Sequence, residues 1–250
     1  RGYWVYAEAL TDIPVNVETG DAPEIAGDFV RVESGTTPDD WNVTVDEDFY
    51  ISKHEVTNRQ AAHRFQWAYD LGRIRMNGDA VVLNAGNSEG LIQVNSYFSR
   101  IDFSNGVFIV EQGAGNQPCV GISWYGAAAC CNWLSELEGL TPAYDFSTWT
   151  PAAGADGYRL PTITQWEYAA RGGRSASNTE YSGSNTIGDV AWYSGNSGDS
   201  PRNVGTKVAN ELGIHDMSGN VWEFCQDWLS GHEGIFREVR GGSYTSTSAA

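Results

Sequence analysis

Hydrophobic and polar positions change their period several times along this chain, and each change marks an element. Phe29-Val30-Arg31-Val32-Glu33 alternates as a half-buried strand does, and after a polar turn at Gly35 to Asp40 the residues Val43, Val45, Phe49, Tyr50 and Ile51 predict a second strand. From Thr57 the period lengthens, so that Ala61, Phe65, Ala68 and Tyr69 share one helical face, with Thr57 as N-cap and Gly72 as C-cap. Residues 73–118 break at Asn77-Gly78, Ser88-Glu89-Gly90 and Asn105-Gly106, the turn chemistry of hairpins, with Val107-Phe108-Ile109-Val110 expected to be the best-buried strand there. Ser123 opens a second helix carrying Trp124, Ala127, Ala128, Cys131, Trp133 and Leu134, stopped by Gly139. Thr162-Ile163-Thr164-Gln165 is a capping-box sequence that starts a short third helix, Trp166 to Ala170.

Both ends of this pattern lose periodicity. Before Phe29 a short aromatic strand at Tyr3-Trp4-Val5-Tyr6 leads into a Pro-, Gly- and Asp-rich linker, so residues 1–28 read as strand plus linker and 29–250 as one domain. From Arg174 to Lys207 the chain is mostly Gly, Ser and Asn, a stretch expected to be functional or held by something other than its own hydrogen bonds, such as a bound ion.

Composition narrows the function. With 15 Lys+Arg against 32 Asp+Glu among 250 residues the net charge is −17, and neutralising phosphates takes clustered cations, so nucleic-acid and anionic-lipid binding are disfavoured. No apolar run is long enough for a membrane span, and no basic-then-apolar segment opens the chain. The 29 Gly, 10 Trp and 12 Tyr point to a turn-rich, aromatic-packed fold. Cys119, Cys130, Cys131 and Cys225 show no CxxC spacing, which argues against a thiolate metal site, and a Cys131 to Cys225 disulfide stays open. Asn42-Val43-Thr44 is a glycosylation sequon, a triplet common by chance. His54, His63, His215 and His232 lack the mutual spacing of a ligand set, and Glu167 reads as the partner of Arg171 one turn on rather than as an acid/base.

Five blocks in fixed order are more specific: residues 49–58 (Phe-Tyr-Ile-Ser-Lys-His-Glu-Val-Thr-Asn), 120–128 (Val-Gly-Ile-Ser-Trp-Tyr-Gly-Ala-Ala), 158–173 with Tyr-Arg-Leu-Pro-Thr and Gln-Trp-Glu-Tyr-Ala-Ala-Arg-Gly-Gly, 210–223 ending Asp-Met-Ser-Gly-Asn-Val-Trp-Glu, and 239–244 (Val-Arg-Gly-Gly-Ser-Tyr). From Phe29 to Tyr244 this wording resembles the formylglycine-generating enzyme (sulfatase-modifying factor) family. The resemblance implies an α+β, irregular C-type-lectin-like fold with few short helices and strands and much ordered loop. Family enzymes oxidise a sulfatase cysteine with a copper ion held by two thiolates just after the Gly-Gly-Ser-Tyr block. Here the first thiolate position falls on Ser246 and the second would lie beyond Ala250. A hydroxyl is a poor ligand for soft Cu(I), so the resemblance carries no copper and no oxidase activity onto these residues.

The resemblance also implies calcium, held by the side chains of Asp216 and Glu223 and the carbonyls of Gly219 and Val221, hard oxygen donors of the kind this ion takes. A second family site needs an Asn side chain where this chain has Trp192, which has no oxygen to offer. With Trp222 and Ser243 matching the family's pocket walls, Trp222, Ser243, Tyr244, Thr245, Ser246, Thr247 and Ser248 are the expected contacts to a protein or carbohydrate ligand. The expected function is a non-catalytic binding or display module, extracellular or on a bacterial or phage-derived surface or in the periplasm, like the variable proteins of diversity-generating retroelements. Two alternatives stand beside it. One is a copper oxidase or enzyme subunit whose cysteines lie outside these residues. The other is a structural subunit of a surface assembly, a homo-oligomer in which the strand at Gly2 to Ala7 pairs with a neighbour. The family's last core strand is not found before Ala250, for which truncation is a plainer expectation than a strand-donating neighbour.

Overall fold

The computed structural model describes residues 29–78 and 80–247; the expected strand at Tyr3–Tyr6, the linker and Ser248 lie outside them. Strand β1 (Phe29–Val32) pairs antiparallel with β4 (Phe49–Ser52), and the short β2 (Gly35–Thr36) with β3 (Thr44–Val45). The single strand expected over residues 43–51 is therefore two. Asp48 causes the break: its carboxylate accepts from the Ser34 N–H at 2.8 Å and from Arg31, fixing a turn where a ladder would have continued.

Contacts gather the chain into two units interleaved in sequence. One comprises Asn58–Gly115 and Cys119–Leu160; the other holds residues 29–57, Asn116–Pro118 and 161–247.

In the first unit α1 (Asn58–Asp70) precedes the meander β5 (Ile74–Asn77), β6 (Val81–Asn84) and β7 (Gly90–Gln93), then the hairpin β8 (Ile101–Ser104) and β9 (Val107–Val110). The β8–β9 turn has Asn105 at φ 51° and Gly106 at φ 83°, the paired left-handed residues that match strand twist. Helix α2 (Trp124–Leu137) begins as expected, because the Ser123 hydroxyl accepts from the Gly126 N–H at 3.1 Å. Phe65 of α1 sits edge-on to Trp133 of α2 and tilted on Phe108, and these rings form the core. Strand β9 is not the best-buried one there: only its Phe108 is buried, whereas β6 buries Val82 and Asn84 with its other two residues half-buried, and β7 buries the adjacent Leu91 and Ile92 beneath α2. Both faces of β7 are covered, which its continuous apolar pair records and alternation cannot. The short pair β10 (Tyr144–Asp145) and β11 (Thr150–Pro151) completes the unit.

In the second unit α3 (Ile163–Ala170) carries the expected capping box, Gln165 N–H to Thr162 Oγ1 at 3.2 Å and Thr162 N–H to Gln165 Oε1 at 3.1 Å. Its apolar face, Trp166, Ala169 and Ala170, packs on Ile214, Met217 and Cys225. Each large side chain buried there contributes about 1.5–3 kcal/mol. The Gly/Ser/Asn stretch after α3 contains only a 3-10 turn (Gly173–Ser175) and α4 (Ile187–Val190). Protein hydrogen bonds fasten it: Ser182 Oγ donates to Ala170 O at 2.6 Å, Asn196 Nδ2 to Ala191 O, and Arg202 Nε to Ser197 O. The hairpin β12 (Glu223–Trp228) and β13 (Arg237–Arg240) ends the regular structure. Among the described residues no helix is long and apolar enough to cross a membrane.

Candidate functional site

The segment from Asp216 to Glu223 runs from the core of the second unit into β12, and its backbone is unusual. Asp216, Gly219 and Asn220 all have positive φ, at 58°, 85° and 54°. Gly219 is required by space as well: a Cβ there would stand 2.3 Å from the Trp192 carbonyl oxygen. The segment is sewn down on both sides, Gly219 N–H to Gly241 O at 2.8 Å and Asn220 N–H to Trp192 O at 2.8 Å.

Three carboxylates face this segment. Asp216 is 2% exposed; its Oδ2 accepts from the Gly205 N–H at 2.7 Å, while Oδ1 is buried and has no hydrogen-bond partner among the described residues. Glu223 accepts from Trp166 Nε1 at 2.8 Å, and burial pushes its carboxyl up to about 7 with Asp216 adding repulsion. Glu55 accepts from Asn220 Nδ2 at 2.6 Å and from the Val221 N–H at 3.1 Å. Burial holds the Glu55 carboxyl well above its usual range, the negative charges of Asp216 and Glu223 push it further, and the two donors pull back. Burial likewise raises Asp216, against the Gly205 N–H, His215 and Lys207. So the acids of this site repel one another in a poorly solvated place, a cost that a bound cation or a proton relieves. Among the described residues no three His, Cys, Asp or Glu side chains form a metal-binding group. An ion here would take the rest of its ligands from backbone oxygens.

The turn after β13 is built from small side chains. Ser243 N–H donates to Ser246 Oγ at 2.9 Å, Ser246 N–H donates to Ser243 O at 2.9 Å, and the Ser243 and Thr245 hydroxyls are hydrogen-bonded to each other at 3.0 Å. Tyr244 N–H donates to Asn220 O at 2.6 Å, and the Ser197 hydroxyl to Tyr244 O at 2.8 Å, which ties this turn to the acidic segment. Of the expected ligand contacts, Trp222 is 51% exposed, Thr245 and Thr247 are exposed, and Tyr244 and Ser246 are half-buried. Ser243 is only 6% exposed, so its hydroxyl serves the turn.

Other residues singled out from sequence take plain structural places. Glu167 Oε1 receives Arg171 Nε at 2.8 Å, the expected ion pair. Trp192 Nε1 donates to Thr206 Oγ1, and its ring lies under Lys207 at 4.2 Å. His54 and His215 stack with centroids 5.0 Å apart. None of the four cysteines is in a disulfide, so the Cys131 to Cys225 pairing left open by the sequence is not made. Burial pushes the thiols up, to about 12 for Cys130 and Cys225 and about 11 for Cys131, so they are neutral at physiological pH.

Glu55 and Asn220 were not singled out as site residues from the sequence. Both lie inside the family-like blocks, but only the fold shows that they bond each other.

Comparison with known proteins agrees with this architecture. The profile of the sulfatase-modifying factor enzyme 1-like domain matches residues 16–250. The chaperone protein LppX of Paenibacillus barcinonensis is 35% identical over 266 residues, covering 89% of this chain and 80% of that protein. The crystal structure of CarF superposes with a TM-score of 0.69 at 24% identity, covering 90% of each chain. Variable protein 1 of Treponema denticola superposes with a TM-score of 0.57 at 24% identity, covering 88% of this chain and 84% of that one.

Proposed function

Because the chain belongs to the sulfatase-modifying factor (formylglycine-generating enzyme) family and has its irregular C-type-lectin-like fold, we propose that it works as a non-catalytic, protein-binding module on a calcium-braced scaffold. Ser246 carries this reading. It occupies the position that the family resemblance gives to the first copper thiolate, and its hydroxyl is spent on the Ser243 N–H. The four thiols are elsewhere in the sequence and held neutral by burial, which supports the same view. A protein ligand is favoured over carbohydrate because the relative LppX is named a chaperone. Trp222, Tyr244, Thr245, Ser246 and Thr247 are then the nearby contacts, with Ser243 as their support.

Calcium fits the donors present. Asp216 and Glu223 with the carbonyls of Gly219 and Val221 would hold it, and the partnerless Asp216 Oδ1 supports this placement. Bound there, the ion would neutralise the mutual repulsion of the carboxylates and stiffen the segment that Tyr244 is tied to. An extracellular, surface or periplasmic setting suits calcium in this role, which would find the ion abundant there.

The deciding experiment incubates the purified chain with Cu(I), oxygen and a sulfatase-type cysteine peptide. Mass spectrometry is expected to find no formylglycine. Conversion of the peptide would mean an enzyme and end the proposal.

A further inference from the structure

The β12–β13 hairpin shows more apolar surface than its surroundings explain. Twelve large hydrophobic residues are exposed among the described residues, and five of them, Trp222, Leu229, Ile235, Phe236 and Val239, fall within residues 222–239. Ile235 is 70% exposed and Phe236 56%. Singly scattered apolar residues need no explanation, whereas a group on one element does.

The group is presented by ordered backbone. Leu229 N–H donates to Phe236 O at 2.8 Å, which extends the ladder past Trp228, and the tip closes on itself through His232 N–H to Leu229 O at 2.9 Å and Ile235 N–H to His232 O at 3.0 Å. The His232 ring packs on Phe236 with centroids 5.8 Å apart. A pre-formed aromatic and aliphatic tip loses little freedom on binding, the property of an anchor.

Charge identifies the occupant. The hairpin's cations are engaged: Arg237 lies 3.4 Å over the Trp228 ring and donates to Gln226 O, and Arg240 pairs with Glu238 at 3.0 Å. Glu233 stands exposed at the tip, and the whole chain carries −17. A field of that sign draws in cationic chains and repels acidic ones, a second copy of this chain included. We infer that the β12–β13 hairpin is a docking surface for a positively charged protein segment that interleaves Lys or Arg with apolar side chains. This rests on the binding-module reading and specifies its partner class.

The probes are three fluorescent synthetic peptides: one alternating Lys with Leu and Phe, one with Glu at every Lys position, and one with Ser at every apolar position. Anisotropy at physiological ionic strength is expected to show the first binding at least about tenfold more tightly than the others. The double variant Ile235→Ser/Phe236→Ser, checked for an unchanged melting temperature, should lose about tenfold in affinity. Tyr97→Ser/Phe98→Ser, which removes exposed aromatics elsewhere, should bind as the parent does. Equal binding of the Glu peptide, an unaffected hairpin variant, or equal loss in both variants overturns the inference. So does a dimer in sedimentation that the hairpin variant abolishes, because the occupant would then be a second copy. Oxidase activity with hairpin-dependent peptide binding intact would end the non-catalytic reading and leave this surface standing.

Discussion

Asn220 joins Glu55 to the acidic segment across most of the described sequence: its Nδ2 donates to Glu55 Oε2 at 2.6 Å while its Oδ1 accepts from the Arg202 N–H at 2.9 Å. A fully buried amide with φ 54° thereby satisfies a carboxylate and a backbone donor at once. Asn is among the few residues that tolerate the left-handed region and also carry a donor and an acceptor.

Replacing that amide should therefore be costly. Asn220→Ala takes from Glu55 one of its two donors, leaving only the Val221 N–H, and leaves the Arg202 N–H without its acceptor; it is expected to destabilise by about 2–4 kcal/mol, one buried unsatisfied group costing about 1–3. Asn220→Gly keeps the backbone comfortable and drops only the bonds. Urea denaturation with Asn220→Gly as stable as the parent would show that the amide bonds contribute nothing.

Helix α2 meets β7 through Gly126, whose position leaves no room for a methyl group. A Cβ there would lie 2.1 Å from Leu91 O and 2.7 Å from Ile122 Cγ1. Gly126→Ala must push helix from strand and is expected to cost upwards of about 3 kcal/mol despite alanine's better helix propensity. A melting temperature within a degree or two of the parent would refute this packing.

Calcium should stabilise the chain through Asp216. Millimolar calcium against chelator is expected to raise the melting temperature, a hundredfold excess over the dissociation constant being worth about 2.7 kcal/mol. Asp216→Asn, isosteric but uncharged, should abolish the response. Identical melting of the parent in calcium and in chelator would remove the ion from the proposal.

Acid should weaken the first unit through His63. Burial, and then the Arg64 charge, lower the His63 pKa below its usual 6.5. The folded state therefore binds the proton less readily than the unfolded chain. The stabilisation is present above pH 6.5 and is lost as the pH falls from there through the lowered folded value. His63→Gln, which cannot be protonated, should flatten the loss of stability between pH 7 and 5. An unchanged slope in the variant would assign the acid sensitivity to other groups.

How much was legible in the sequence followed the range of the interactions. Ser123, Thr162 with Gln165, and Asn105-Gly106 act on backbone groups a few residues away, so their caps and turn appear in the structure where the residue types placed them. The Asp216 and Glu223 positions could be named from their block, and the ion pair of Glu167 with Arg171 follows from helical spacing. The strand break at Asp48 was not legible, since Arg31 of β1 and Ser34 just after it decide it from a distant part of the sequence.

Sequence by itself determined the caps of α2 and α3, the β8–β9 turn, the family and the absence of sulfur at residue 246, because local stereochemistry and residue chemistry travel with the chain. Tertiary structure alone decided that β7 rather than β9 is covered on both faces, that Ser243 serves its turn from a buried position, and that Glu55 comes to share one poorly solvated place with Asp216 and Glu223. Burial and repulsion between charges depend on distance through space, and neighbours brought together by folding leave no periodic mark along the chain.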